Sequence, residues 1–324
     1  MKKFTKGCLI TALVLFIFGC AFYGVCGFMG GFGQLRERNI MRGNGMFSIG
    51  IPVGIPGLEW GFDGHWFTFG NSDWDDWGAD MFGSMNLIEI DENAQTAYEA
   101  SDITDIDIEL GGCNLVIAES TDDYIWIENR SNVKTVKYGM KNGTFKLYNG
   151  KTFGFNSINN IRGSVYLYLP KGMDLSSIDI EMGAGNLESI ALAAHGIELE
   201  IGAGNFTIEG LSGQEVNISV GAGGIFVENA EVNELDMEAA AGSIELTGTV
   251  SGNADIECAA GSISLFLYND ETAFNYEIEC AVGSININGD EYTGLATERS
   301  INNNAGKEMN IECSAGSVEV NFIR

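Results

Sequence analysis

Proline, histidine and positive charge are what this sequence has little of: 3 Pro, 2 His and 17 Lys plus Arg in 324 residues. So few prolines speak against a linker-rich modular chain, and 44 glycines suit a fold with many tight bends. Against 17 basic residues stand 45 Asp and Glu, a formal net charge of −28. A chain this acidic is a poor partner for anionic lipid heads and no nucleic-acid partner is expected, because the phosphate term that dominates such binding would be repulsive. The deficit is concentrated: residues 172–298 hold no Lys or Arg but 23 Asp and Glu. A lyase or hydrolase on a β-helix needs carboxylates of separated pKa across a groove, usually with Arg, Lys or metal to stabilise developing charge. That stretch offers only the carboxylates. The two histidines, His65 and His195, lie in a spacer and in a loop (AAHG), and no Ser-His-Asp arrangement surrounds either. No enzyme activity is expected, and no residue is assigned as catalytic, cofactor-binding or metal-ligating.

Long uncharged runs are also scarce, with one exception. Lys2, Lys3 and Lys6 precede CLITALVLFIFGCAFYGVCGFMGGFG, residues 8–33, 26 residues without a charge. About 20 apolar residues cross a bilayer core, so residues 1–33 read as an uncleaved signal anchor, one transmembrane helix. The basic flank favours a cytoplasmic N-terminus, although Arg36, Arg38 and Arg42 on the far side oppose it. The competing readings are a lipoprotein processed at Cys20, for which Phe18 is a poor neighbour, and a cleaved secretory signal. Residues 34–85 are glycine-rich and aromatic, with Trp60, Trp66, Trp74 and Trp77 and no sustained period. They read as a flexible juxtamembrane spacer; an aromatic interface segment and a glycan-stacking patch are the alternatives.

From about residue 86 the pattern becomes period two. IDIEL, NLVIA, YIWIE, TFKLY and SVYLYLP alternate apolar and polar residues with β-branched and aromatic enrichment, separated by turns such as KNGT. No convincing helix follows the anchor. A motif then recurs: EMGAGNL, EIGAGNF, SVGAGGI, EAAAGSI, ECAAGSI, ECAVGSI and ECSAGSV, with a looser copy, ELGGCNL, at 109–115. Its glycines, Gly185, Gly204, Gly223, Gly242, Gly261, Gly283 and Gly316, are spaced 19, 19, 19, 19, 22 and 33 apart. A period near 20 marks a stack of identical supersecondary units. A dinucleotide loop is excluded, since the third glycine and a following helix are missing. The fold expected is all-β: a right-handed parallel β-solenoid, or β-helix-like stack, of ~19-residue repeats over 86–324, rungs ~4.8 Å apart.

Each column then predicts a role. The glycines suit positive φ or a tight corner. The preceding small column, Ala184, Ala203, Ala222, Ala241, Ala260, Val282 and Ala315, is expected inside that corner. The following Asn and Ser residues are candidates for hydrogen-bond ladders. The longer gaps, 263–280 and 287–310, read as loop insertions, and the final strand SVEVNFI as an uncapped edge. Cys258, Cys280 and Cys313 share a column with Met182, Ile201, Val220 and Ala239, so they read as core thiols. Asp179, Glu198, Asp236, Asp255 and Glu277 form one outward column; Glu181, Glu200, Glu238, Glu257, Glu279 and Glu312 form the next. These columns read as a solvated face that blocks sheet-to-sheet association. The other readings are weak divalent-cation binding and docking of a basic partner.

The entry SVYLYLPKGMDLSSIDIEMGAGNL and the EIGAGNF-type turns resemble the bacterial putative-adhesin family of β-solenoid domains, within the group called toast-rack domains in cell-envelope stress proteins. The resemblance spans roughly residues 95–324 and rests on short glycine-based motifs that specify fold better than function. It implies an extracytoplasmic surface or envelope role with no defined ligand or catalytic set. The expected function is therefore a structural, scaffold or adhesion role at the bacterial cell envelope, attached to the membrane through the anchor and facing a protein or cell-wall partner. The resemblance alone implies the alternative of an accessory or sensor in envelope-stress signalling. A glycan-binding or glycan-cleaving β-helix is the minor alternative.

Overall fold

Strict alternation over six or more residues places every second side chain on one side of a strand, so each repeat must bury that side against another strand. The computed structural model shows where it does so; it describes residues 87–132, 136–149 and 163–323. The anchor and spacer read over 1–33 and 34–85 lie outside the described residues.

The repeat is a bent parallel rung. Ser177–Ser189 and Gly196–Ile208 each pass through their Gly-Ala-Gly corner, and Leu211–Ala239 runs on through two legs and into the next rung. Pairing is in register with the 19-residue period: Ile178, Ile197 and Val216 align before the corner, and Leu187, Phe206 and Ile225 after it. Inward side chains from the two legs fill one continuous core. In the rung of Ser177–Ser189 these are Ile178, Ile180, Met182 and Leu187, all at most 2% exposed. The looser copy at 109–115 is a true rung, since Asp105–Leu110 pairs with 177–182 and Leu115–Glu119 with 187–189. Among the described residues the one helical element is a single 3₁₀ turn, Glu271–Ala273.

The stack does not follow chain order. Ala254–Cys258 pairs with Lys307–Cys313, which in turn pairs with Phe274–Cys280. The second legs repeat this: Ser262–Leu267 pairs with Ser317–Phe322, and that strand with Ser284–Ile287. The last repeat in sequence is thus threaded between the two before it, and the final strand is interior, not the uncapped edge that the sequence suggests. Residues 287–310 are not a plain loop insertion either. Asp290–Thr293 turns back on Ser284–Ile287, and Thr297–Ile301 pairs antiparallel with Phe274–Cys280. Both close that end with exposed Asp290, Glu291, Glu298 and Arg299, charges that discourage a further strand from adding. The opposite end closes in the same manner, with Lys137–Lys141 antiparallel on Thr144–Asn149. Each of these closing hairpins turns on an Asn-Gly pair at positive φ, Asn142–Gly143 and Asn288–Gly289, the residues a type I′ turn demands.

Two column assignments change. Within the repeated glycine column positive φ is confined to Gly185, Gly204 and Gly223, whose rungs carry the strand through the corner. In the later rungs the corner is a bend, and glycine is required by close approach: a Cβ on Gly242 would meet Val220 Cγ2 at 2.7 Å and the Gly223 carbonyl at 2.9 Å. The small column is not inside the corner. Ala184 is buried, but Ala203, Ala222, Ala241, Ala260 and Val282 are exposed. The inner place belongs to the residue two before, Met182, Ile201, Val220, Ala239 or a cysteine. The polar ladder exists at its asparagine steps: Asn186 Nδ2 donates to Asn114 Oδ1 at 3.4 Å, and Asn205 Nδ2 to Asn186 Oδ1 at 3.5 Å.

Candidate functional site

Because the first legs are in register, the outward residues of successive rungs stand above one another at ~4.8 Å. The structure brings both acidic columns together on one face and lengthens each by a member. Asp107 aligns with Asp179 and Glu198; Glu109 aligns with Glu181 and Glu200. Beyond an interruption at Asn217 and Ser219, Asp236 and Asp255 continue the first column. Glu238, Glu257, Glu312 and Glu279 continue the second, in stack order rather than chain order.

A lysine heads the columns. Lys146 aligns with Asp107 on the neighbouring strand; its Nζ donates to Asp107 Oδ2 at 2.9 Å and to Glu109 Oε1 at 2.7 Å, and its side chain is fully buried. A buried ammonium needs such paired acceptors. Sequence reading missed Lys146 because TFKLY carries no repeat motif. The signal was there all the same: a lysine at an outward place in a strand otherwise read as ordinary alternation.

Further along the face the carboxylates stand above one another, Glu181 and Glu200 partly buried and Asp179, Asp236, Glu238 and Glu257 exposed, and crowding by their neighbours makes proton loss unfavourable. Asp179 is raised to about 7, first by burial and then by Glu198 and Asp107. Glu181 is raised to about 7 by burial and then Glu200, with Lys146 opposing. Glu257 reaches about 7 by burial and then Glu312. Glu200, Asp236 and Glu238 move upward for the same first reason. The folded chain therefore holds protons that the unfolded chain releases. That stabilisation is fully present below the ordinary carboxylate range and is lost as pH rises through about 7. The melting temperature of the full chain should rise by ~5 °C or more between about pH 8 and about pH 5. A flat profile, or a fall over that window measured by circular dichroism, removes the protonated ladder.

The outward side of the second legs is different. Tyr166 and Tyr168 lie 6.2 Å apart with planes at 14°, and Trp126 aligns with Tyr168 on the next strand. These rings are already engaged. Arg130 lies 4.8 Å over Tyr166 and 2.7 Å from Glu128, and the Trp126 indole N–H donates to Asp122 Oδ1 at 2.9 Å. That bond is the first cause holding the Asp122 carboxyl below its usual range. His195 sits exposed in the loop between Ala193 and Gly196, as expected. Cys113, Cys258, Cys280 and Cys313 are free and buried, as core thiols should be. Among the described residues no three or more His, Cys, Asp or Glu side chains are arranged to hold one metal ion.

A family model described as Toastrack DUF4097 matches residues 103–303. No curated protein matches the chain. Similar solved structures include a "putative adhesin" from Bacteroides fragilis, 14% identical, covering 72% of this chain and 97% of its own at a TM-score of 0.36. A "putative cell adhesion protein" from Clostridium sporogenes is 15% identical, covering 72% of this chain and 100% of its own, at 0.29. A "putative lipid binding protein" from Parabacteroides distasonis is 16% identical, covering 70% of this chain and 96% of its own, at 0.40. Likeness at those scores adds nothing to the family match.

Proposed function

The chain belongs to the Toastrack DUF4097 family, and from that premise we propose that it is a membrane-anchored scaffold or adhesion module on the outer side of a bacterial cell membrane, right-handed in its winding. Its working surface is the acidic face. One observation supports this most: two columns of largely exposed carboxylates held in register on a parallel stack, several of them raised toward neutral pH. Maintaining like charges in that array costs stability, and a cationic partner surface would recover it by lying along the columns. Solenoids commonly bind through such extended repeated surfaces. The same columns bear on the second reading, an accessory or sensor in envelope stress, because carboxylates near pH 7 change charge when the external pH falls.

The test uses intact cells expressing the full chain. Protease added outside should cleave the β domain, and the cells should bind polylysine-coated beads more than cells carrying Glu200→Gln, Glu238→Gln and Glu257→Gln together. Complete protection from protease refutes the placement. Equal bead binding by the triple variant at equal surface level refutes the acidic face as the working surface.

A further inference from the structure

Three thiols stand in one row on adjacent rungs. Cys258 aligns with Cys313, and Cys313 with Cys280. They occupy the inner place beside the corner, where earlier rungs carry Met182, Ile201, Val220 and Ala239. Threading of the last repeat between its predecessors sets the order of the row; chain order would leave Cys313 at one end. As threaded, Cys313 is the middle member, directly opposite Cys258 on one side and Cys280 on the other. The wall over the sulfurs is thin. The vacant Cβ positions of Gly316 and Gly283 fall 2.5 Å from Cys258 Sγ and Cys313 Sγ respectively. Two residues before each of these corners' exposed Ala260 and Val282 stand Cys258 and Cys280, themselves buried.

We propose that the Cys258–Cys313–Cys280 row binds a soft monovalent metal ion of the copper(I) or silver(I) class, held linearly between two neighbouring thiolates with Cys313 as the common ligand. Thiolates select soft ions. Metal–sulfur bonds of ~2.3 Å, the length zinc thiolates show, laid end to end match a rung spacing of ~4.8 Å. Hard or four-coordinate ions are not served, because no three ligating side chains converge on one point among the described residues. A two-coordinate ion asks for two. On binding, two S–H bonds break and two metal–sulfur bonds form. Both protons go to solvent, and the site is left with one net negative charge; no electron is transferred. Since Cys313 serves either neighbour, the row takes one ion, between Cys313 and Cys258 or between Cys313 and Cys280.

The experiment is an anaerobic competition for copper(I) between the full chain and the chromophoric chelator bicinchoninate. The native chain is compared with Cys313→Ala, Cys280→Ala and the double variant Cys258→Ala, Cys280→Ala. Ala239 fills the equivalent place in another rung, so these variants should fold, which circular dichroism melting checks. Cys8, Cys20, Cys26 and Cys113 are present in every protein, so their copper cancels in the difference. The native chain should withdraw one equivalent more copper(I) than Cys313→Ala, with at least ~10-fold tighter retention, and its melting temperature should rise on loading. Cys280→Ala should keep that equivalent; Cys313→Ala and the double variant should lose it. Equal copper in the native chain and a folded Cys313→Ala overturns the site. So does thiol quantitation showing Cys313 in a disulfide in the protein as isolated.

Discussion

Gly204→Ala should be among the most damaging single substitutions in the chain, lowering unfolding free energy by ~4 kcal/mol or more. Gly204 has φ of +133°, where an L side chain is strained, and a Cβ there would run into the carbonyl oxygen of Gly185 on the rung beside it. Neither atom can step aside, because the oxygen belongs to paired backbone and the Cβ is placed by backbone that is itself paired on two sides: Gly204 aligns with Gly185 and with Gly223. Two further substitutions grade the effect. Gly242→Ala meets a valine methyl at 2.7 Å and a carbonyl at 2.9 Å without positive φ, so a smaller loss of ~1–3 kcal/mol is expected. Ala203→Ser, one residue from Gly204 but pointing outward, should change stability by no more than ~0.5 kcal/mol. Urea denaturation of the three variants reads this order directly. Equal losses at Gly204 and Ala203 would mean the corner is not built as described.

Removing the C-terminal rung should abolish cooperative folding, although it deletes only the end of the chain. A stop after Gly306 takes away Met309, Ile311, Cys313, Val318 and Val320, all at most 2% exposed. Each such side chain contributes roughly 1.5–3 kcal/mol by burial, comparable in sum to the ~5–15 kcal/mol net stability of a domain. The deletion also opens a gap inside the sheet, exposing unpaired backbone on Ala254–Cys258 and Phe274–Cys280. If the strand lay at an edge, as chain order implies, the remainder would still melt as one unit at a somewhat lower temperature. Thermal melting followed by circular dichroism separates these outcomes: a broad, non-cooperative profile is expected. A sharp transition within a few degrees of the intact chain would contradict the threading. A synthetic peptide of residues 307–323 should restore part of the transition, because the vacated place keeps partners on both sides.

Much of this molecule was legible in the residues. Alternation and a 19-residue period are local properties, and together they determined an all-β parallel stack, the burial of the cysteine column and the outward carboxylates, though not the outward side taken by the alanine column at the corner. The Asn-Gly turns that close its ends are equally local. Lys146 lay one step further off, since its role depends on which strand lies beside Thr144–Asn149.

Tertiary structure alone decided the order of the last three rungs. ECAAGSI, ECAVGSI and ECSAGSV present nearly the same columns, so each can pair with either of the others in the same register. Nothing local distinguishes neighbour from next neighbour. The choice is made by the connections: intervals of 22 and 33 residues leave chain enough to skip a rung, build the closing strands and return. The protonation of the acidic face was likewise beyond the sequence. A carboxylate's charge depends on how much solvent its neighbours exclude and on which other carboxylates stand a rung away, and those distances exist only once the stack has formed.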